Sequence, residues 1–147
     1  MKITLTNSAN EVYLTSEYDP ANHWVCNHWQ GEQTYVGMVA GANACLALLQ
    51  QHQCAYLLND NRQAVGLWDE ILEWVTTSWT PRAMAAGLTH FAQVVSLDTL
   101  AADSSEVMRV SLKDKFHMHS FTIMAEAQAW LRAAQQPSAT PPAVTMP

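Results

Sequence analysis

The stretch Cys54-Ala55-Tyr56-Leu57-Leu58-Asn59-Asp60-Asn61-Arg62 decides the fold of this chain. Its first five residues form a short, nearly continuous apolar run, which is typical of a central strand covered on both faces. The last four residues are polar, and a helical pattern follows them. An apolar strand that ends in polar residues ahead of a helix indicates a mostly parallel α/β sheet, because helical crossovers join parallel strands.

Two further strands precede this central strand. Residues 11–18 and 23–29 are rich in β-branched and aromatic side chains, and the Asp-Pro and Asn within residues 19–22 favour a turn between them. A connection this short predicts an antiparallel hairpin. The hairpin therefore supplies the antiparallel part of a mixed sheet.

Amphipathic helices flank the central strand on both sides in the sequence. Apolar residues recur every three or four positions over 33–51, which predicts a helix of about five turns. Gly37 and Gly41 lie inside this helix, where they allow close packing against a sheet. A second helix is predicted over 64–78, and Thr80-Pro81 ends it because proline cannot continue the hydrogen-bond ladder.

The remainder of the chain repeats the alternation of strand and helix. The sequence predicts a short helical turn at 82–86 and an apolar strand at 91–96. It also predicts a polar helix that begins at a cap formed by Asp98. A strand at 115–121 and a helix capped by Thr122 complete the pattern. The order ββαβαβαβα predicts an α/β fold with a five-stranded mixed sheet and right-handed crossovers.

Composition and charge limit the function classes. The 147 residues suit one globular domain, predicted over 1–134, with a flexible Pro-rich tail at 135–147. The formal net charge of -6, without a Lys/Arg cluster, argues against nucleic acid as a partner. No apolar run reaches the roughly 20 residues of a membrane span, and no signal peptide is visible. We therefore expect a cytoplasmic protein, with its three cysteines as free thiols.

The polar end of the central strand is the first candidate site. Asn59, Asp60, Asn61 and Arg62 lie where open α/β sheets place their ligand crevices. An Asp60–Arg62 ion pair holds this loop, or Arg62 faces outward and binds a carboxylate or phosphate through two hydrogen bonds. Capping of the next helix by Asp60 or Asn61 is the structural alternative.

The tryptophans form the second candidate set. Trp68 and Trp79 lie on the apolar face of the predicted second helix, where a core role is expected. Trp74 lies off that face and is a better candidate for a ligand wall or an oligomer contact. We add Trp74, Trp79 and the neighbouring Arg82 to the predicted contact residues.

Histidine and cysteine give only a weak metal pattern. Cys26 and His28 share one strand face, as do His117 and His119, but no His-Glu-x-x-His or Cys-x-x-Cys motif is present. The chain also lacks a nucleophile elbow, a phosphate-binding glycine loop and a dinucleotide fingerprint. We therefore predict neither a metal nor another cofactor, and we favour a non-catalytic role.

Four short strings carry a resemblance that spans roughly residues 10 to 132. Trp29-Gln30-Gly31, Leu57 to Arg62, Trp79-Thr80-Pro81 and Ala127-Gln128-Ala129-Trp130-Leu131 resemble small bacterial STAS-like, anti-sigma-factor-antagonist-like proteins, which are grouped with the CRAL-TRIO lipid-binding fold. In the antagonists a loop Asp-Ser-Ser serine is phosphorylated to release a partner kinase. The loop here reads Asp60-Asn61-Arg62-Gln63 and has no hydroxyl. The CRAL-TRIO side of the resemblance implies an apolar ligand cavity.

Two functions follow from these observations. The first is a regulatory or protein-interaction module of the STAS-like type, without a phosphorylatable serine, that contacts an unknown protein through residues 59–62 and the helix after them. The second is a protein that binds a small apolar or carboxylate ligand, lipid-like in character, in a pocket lined by Trp and Met and gated by Arg62. A homodimer fits both functions, because a chain this short can leave an apolar helix face uncovered.

Overall fold

The computed structural model describes residues 1–66, 69–96 and 100–136, with only the backbone described for 100–105. Its sheet has six strands, β1 to β6, which lie side by side in chain order. They are β1 Lys2–Thr6, β2 Val12–Asp19, β3 Trp24–Glu32, β4 Tyr56–Val65, β5 His90–Val94 and β6 His117–Phe121.

Strand direction divides the sheet into two halves. β1, β2 and β3 pair antiparallel, whereas β3, β4, β5 and β6 pair parallel. The predicted hairpin and the mixed α/β sheet are therefore confirmed. The prediction of five strands is wrong, because Lys2–Thr6 forms an additional edge strand. Its inward side chains, Ile3 and Leu5, are only partly buried, so the strand carries a weak apolar signal.

Helices cover the two faces of the sheet unequally. We call the face under α1 Tyr35–His52, the helical segment 69–85 and α4 Leu100–Leu112 the covered face. The opposite face, which we call the α5 face, packs against one helix of the described part of the chain, α5 Met124–Gln135. α5 contacts β4, β5 and β6, so it covers the parallel half of that face. Among the residues that the structure describes, every helix is too short or too polar to cross a lipid bilayer.

β4 is longer than the sequence predicts. The strand runs through Asn59, Asp60, Asn61 and Arg62, which were expected to form a loop, and ends at Val65. Pairing with strands on both sides explains this: Asn59 lies between a β3 residue and a β5 residue. Polar side chains remain in a strand where neighbouring side chains supply their hydrogen-bond partners. Asn59, Asp60 and Asn61 are buried in the sheet, whereas Arg62 is exposed.

The helical segment 69–85 also differs from the prediction. It consists of a 3₁₀ turn Asp69–Ile71, α2 Leu72–Trp74, a π-helical turn Val75–Trp79 and α3 Thr80–Ala85. The predicted stop at Thr80-Pro81 is wrong, because Pro81 lies in the first turn of α3, where a missing N–H is tolerated. The π-helical turn before it interrupts the regular ladder.

Close contact between α1 and the sheet depends on a glycine. A Cβ on Gly41 would lie 2.5 Å from Trp29 Cη2 and 2.7 Å from Leu14 Cδ2. Both neighbours are buried core side chains. The close packing predicted for the helix glycines is therefore confirmed at Gly41.

Three sequence predictions lie outside the described residues. These are the core position of Trp68, the Asp98 helix cap and the Pro-rich tail from Pro137 onward. The cap predicted at Thr122 is wrong, because Ile123 occupies the position before α5 and makes no side-chain capping bond.

Candidate functional site

The candidate site residues on β4 point to opposite faces of the sheet. Asn59 and Asn61 lie on the covered face, where both line a cavity. Asp60 and Arg62 lie on the α5 face, where they bind each other. Side chains alternate along a strand, so the four residues cannot act as one surface. Each pair has its own surroundings and its own chemistry.

A row of polar side chains crosses the covered face. Five strands each place one hydroxyl or amide residue at the same level, and register pairs each with the next. We call this set the polar row: Ser16, Asn27, Asn59, Gln93 and Ser120. Four of these residues are buried, and Ser120 is half-buried. Such positions usually hold apolar residues, so the row is unusual for a sheet interior.

Hydrogen bonds tie the polar row together at its ends. Ser16 Oγ donates to Asn27 Oδ1 at 2.6 Å, and Gln93 Nε2 donates to Ser120 Oγ at 2.9 Å. At the centre, Asn59 accepts a hydrogen bond of 2.8 Å from the indole N–H of Trp29. These bonds hold the row in a fixed arrangement.

A cavity of about 50 Å³ lies between the polar row and the helices. The sheet contributes the amides of four residues to its wall: Asn27, Asn59, Asn61 and Gln93. Aromatic and sulfur side chains form much of the remainder: Trp29, Trp79, Met38 and Met108. Of the described residues that line the cavity, none carries a charge. Apolar walls with a few fixed polar groups are typical of cavities that bind small molecules.

Cys45 also lines the cavity, but its thiol is poorly suited to nucleophilic chemistry. Burial raises the pKa of Cys45 to about 12, although a hydrogen bond from Asn27 opposes the increase. Burial likewise raises the pKa of Cys26, on the α5 face, to about 11. The thiolate is the reactive form of cysteine, so both thiols are nearly unreactive near neutral pH.

Asp60 is the centre of a charged cluster on the α5 face. Its carboxylate accepts hydrogen bonds of 2.9 Å from both Nε and Nη2 of Arg62, and it lies 3.1 Å from His28 Nδ1. The Asp60 side chain is 4% exposed, whereas that of Arg62 is 42% exposed. Burial raises the pKa of Asp60, but hydrogen bonds and charge from Arg62 and the charge of His28 outweigh it and lower that pKa below its usual value.

A β-bulge completes this cluster. The register of β3 against β4 shifts by one residue between His28 and Gln30, where β4 carries the extra residue. Gln63 Oε1 lies 3.0 Å from His28 Nε2, so Arg62 and Gln63 both reach the α5 face. The predicted Asp60–Arg62 ion pair is confirmed. Binding of an external carboxylate or phosphate by Arg62 stays a prediction.

The three contact residues predicted on the helices do not form one group in the structure. Trp79 is buried, lines the cavity and donates its indole N–H to Ala42 O at 2.8 Å. Trp74 is half-buried, and the Arg82 guanidinium lies 5.7 Å from its ring centroid. Arg82 also donates to Asn43 Oδ1. Trp74 packs partly against the core and Arg82 is exposed, and both lie on the covered face, away from Arg62 on the α5 face.

The structure does not bring the histidine and cysteine pairs together. Cys26 and His28 lie on β3, and His117 and His119 on β6, so two strands separate the pairs. His119 instead stacks on Trp130 with ring centroids 5.2 Å apart. Across residues 1–66, 69–96 and 106–136, no three His, Cys, Asp or Glu side chains are arranged to hold a metal.

Sequence reasoning missed two members of the polar row that line the cavity, Asn27 and Gln93. Asn27 and Gln93 interrupt apolar strands as single amides, which is a signal visible in the sequence. The signal becomes informative only when the strand order and register are known, because these place the amides beside Asn59.

Comparisons of the chain with protein-family models, with curated proteins and with solved structures found no match. The resemblance to STAS-like proteins therefore stays a prediction.

Proposed function

We propose that this protein binds a compact small molecule in the cavity on the covered face. One observation carries the proposal: three neighbouring strands place the amides of Asn27, Asn59 and Gln93 side by side against a cavity. Burial of an amide is unfavourable unless its hydrogen bonds are satisfied. Asn59 accepts one bond from Trp29 and donates one to Asn61, yet an amide offers two donors and two acceptor positions, so the amides of the row can also bond a ligand.

The size and walls of the cavity limit the ligand. One water needs roughly 10–15 Å³ of such space, so about 50 Å³ has room for on the order of four water-sized groups. The rings of Trp29 and Trp79 offer flat apolar surfaces next to the amides. These features favour a small molecule with one polar end and one apolar side.

A cavity-filling pair of variants tests the proposal. Ala42 lines the cavity, whereas Ala47 lies on the exposed side of the same helix. We expect Ala42→Leu to abolish binding because the larger side chain occupies the cavity, and we expect Ala47→Leu to leave binding unchanged. The probes are compact amides, alcohols, amines and carboxylates at millimolar concentration. The readout is a saturable NMR shift of the indole N–H signals of Trp29 and Trp79.

Two results would count against a ligand in the cavity. The first is that no probe produces a saturable shift in the wild-type protein. The second is that Ala42→Leu and Ala47→Leu, both folded by circular dichroism, bind a probe equally well. Equal binding would mean that the ligand lies elsewhere.

A second candidate is the STAS-like regulatory or protein-interaction module. It is favoured by Arg62, whose exposed guanidinium is held in one orientation by the buried Asp60 carboxylate. We expect Asp60→Ala and Arg62→Ala to keep the fold and to weaken capture of a protein partner. Capture from source lysate that is indifferent to both substitutions would contradict this candidate. Sedimentation at several concentrations tests the expected homodimer.

A further inference from the structure

The walls of the cavity can both donate and accept hydrogen bonds. Each amide side chain carries a carbonyl oxygen with two acceptor positions and an NH₂ with two donors. Four such groups line the cavity, on Asn27, Asn59, Asn61 and Gln93. Amide side chains pair with a partner edge that presents a donor beside an acceptor, as they do with adenine.

Charge is missing from the described part of this wall. None of the described lining residues is ionised, and the pKa of the one thiol, Cys45, is raised to about 12 by burial. Arg62, the cation predicted to receive a carboxylate, lies on the opposite face of β4 and binds Asp60. An anion in the cavity would lose its hydration without gaining a cation, which is strongly unfavourable.

We infer that the ligand is an uncharged molecule whose polar end carries a donor beside an acceptor, as in a primary amide, a urea or a lactam. This inference rests on the proposed function and specifies the ligand class of the same cavity. It differs from the apolar or carboxylate ligand that the sequence offered as the second function. The amide row supplies complementary groups on the sheet side, and Trp29 and Trp79 contact the apolar side of the molecule.

Acetamide and acetate provide the test, because they have nearly the same size and shape and differ in charge. Each is titrated into the wild-type protein at constant ionic strength, with the indole N–H signals of Trp29 and Trp79 as the readout. We expect acetamide to bind with a millimolar dissociation constant, as suits so small a probe, and acetate to bind at least about tenfold more weakly.

A matched pair of variants assigns the binding to the row. Gln93→Met removes an amide that faces the cavity, and Gln63→Met makes the same change on the α5 face. We expect Gln93→Met to weaken acetamide binding by about tenfold or more, and Gln63→Met to change it by less than about twofold. If Gln93→Met does not fold, the comparison of acetamide with acetate still decides the ligand class.

The possible results separate the two proposals. Acetate that binds as tightly as acetamide overturns the inferred ligand class and leaves a small-molecule cavity standing. Acetamide binding that is equally affected by Gln93→Met and Gln63→Met overturns the role of the row. A wild-type protein that binds neither probe overturns the inferred ligand class, and the wider panel of alcohols and amines then decides whether the cavity binds any small molecule.

Discussion

The two faces of β4 carry different kinds of buried side chain. On the covered face, Asn59 and Asn61 are uncharged, lie beside a cavity and bond to other neutral groups. On the α5 face, Asp60 is charged and buried, and Arg62 carries its counter-charge out to solvent. Four consecutive residues thus lie in two different environments, one neutral and one charged.

The difference between the faces follows from access to water. A buried carboxylate is tolerated on the α5 face because the Arg62 guanidinium pairs with it while remaining partly hydrated. The covered face lies beneath three helical elements, where burial of an ion is more unfavourable than burial of a neutral amide. A small neutral ligand suits the covered face, and a charged partner suits the α5 face.

The largest expected effect comes from crowding the covered face. Gly41→Ala adds a Cβ that must displace Trp29, whose indole N–H bonds to Asn59. We expect a loss of about 1–3 kcal/mol in the free energy of unfolding, measured by urea denaturation. Gly37→Ala is the control, since its nearest contact is the Thr34 hydroxyl at 3.0 Å. Equal stability of both variants would contradict close packing at Gly41.

Removal of one amide tests the polar row directly. Asn59→Leu keeps the number and branching of the non-hydrogen side-chain atoms but takes the acceptor away from Trp29 Nε1 and the donor away from Asn61 Oδ1. We expect a loss of about 1–3 kcal/mol in the free energy of unfolding, because buried polar atoms lose partners. Gln63→Leu, at an exposed position on the other face, should change the free energy of unfolding by at most about 0.5 kcal/mol. The reverse order would mean that the charged face is the one that stabilises β4.

Acid titration distinguishes the two faces of β4, because Asp60 on the α5 face takes up a proton as the pH falls and the amides on the covered face do not. Since the pKa of Asp60 is lower in the folded than in the unfolded chain, its contribution to stability is complete above the unfolded value of about 4 and is lost as pH falls through the folded pKa. We expect Asp60→Asn to be less destabilised by acid than the wild type. Asn59→Leu should keep the wild-type slope of stability against pH below about pH 4. Identical slopes for all three proteins would contradict the lowered pKa.

The smallest expected difference concerns two thiols. The pKa of Cys26 is raised to about 11 and that of Cys45 to about 12, and Cys45 is the more deeply buried. We expect iodoacetamide to modify Cys26 slowly and Cys45 more slowly still in the folded protein, as measured by peptide mapping. Fast modification of Cys45 would show that the covered face opens readily.

Much of the sheet could be predicted from the sequence, because its elements carry strong local patterns. The hairpin over β2 and β3 has alternating strands and a turn, and α1 has helical spacing over its whole length. β1 was missed because an edge strand buries little. The predicted helix ended before Pro81, because a proline inside a helix removes a backbone hydrogen bond. In the structure Pro81 follows the π-helical turn and lies in the first turn of α3, where a missing N–H is tolerated.

The site was predictable only in part. Asn59 and Trp79 were singled out, and both line the cavity. Their partners Asn27 and Gln93 lie far away in the sequence, so only the parallel register brings them to Asn59. The polar residues after Leu58 were assigned to a loop, since a strand interior with four polar residues is rare without neighbouring strands to satisfy them.

One NMR titration tests the central claim most directly: that ligand binding belongs to the Asn59 face of β4. A single ¹H–¹⁵N spectrum contains the side-chain NH₂ signals of Asn27 and Asn59 and the Nε–H signal of Arg62. On addition of acetamide, we predict saturable shifts of the Asn27 and Asn59 signals and a constant Arg62 signal. A saturable shift of Arg62 with constant Asn27 and Asn59 signals would contradict the claim.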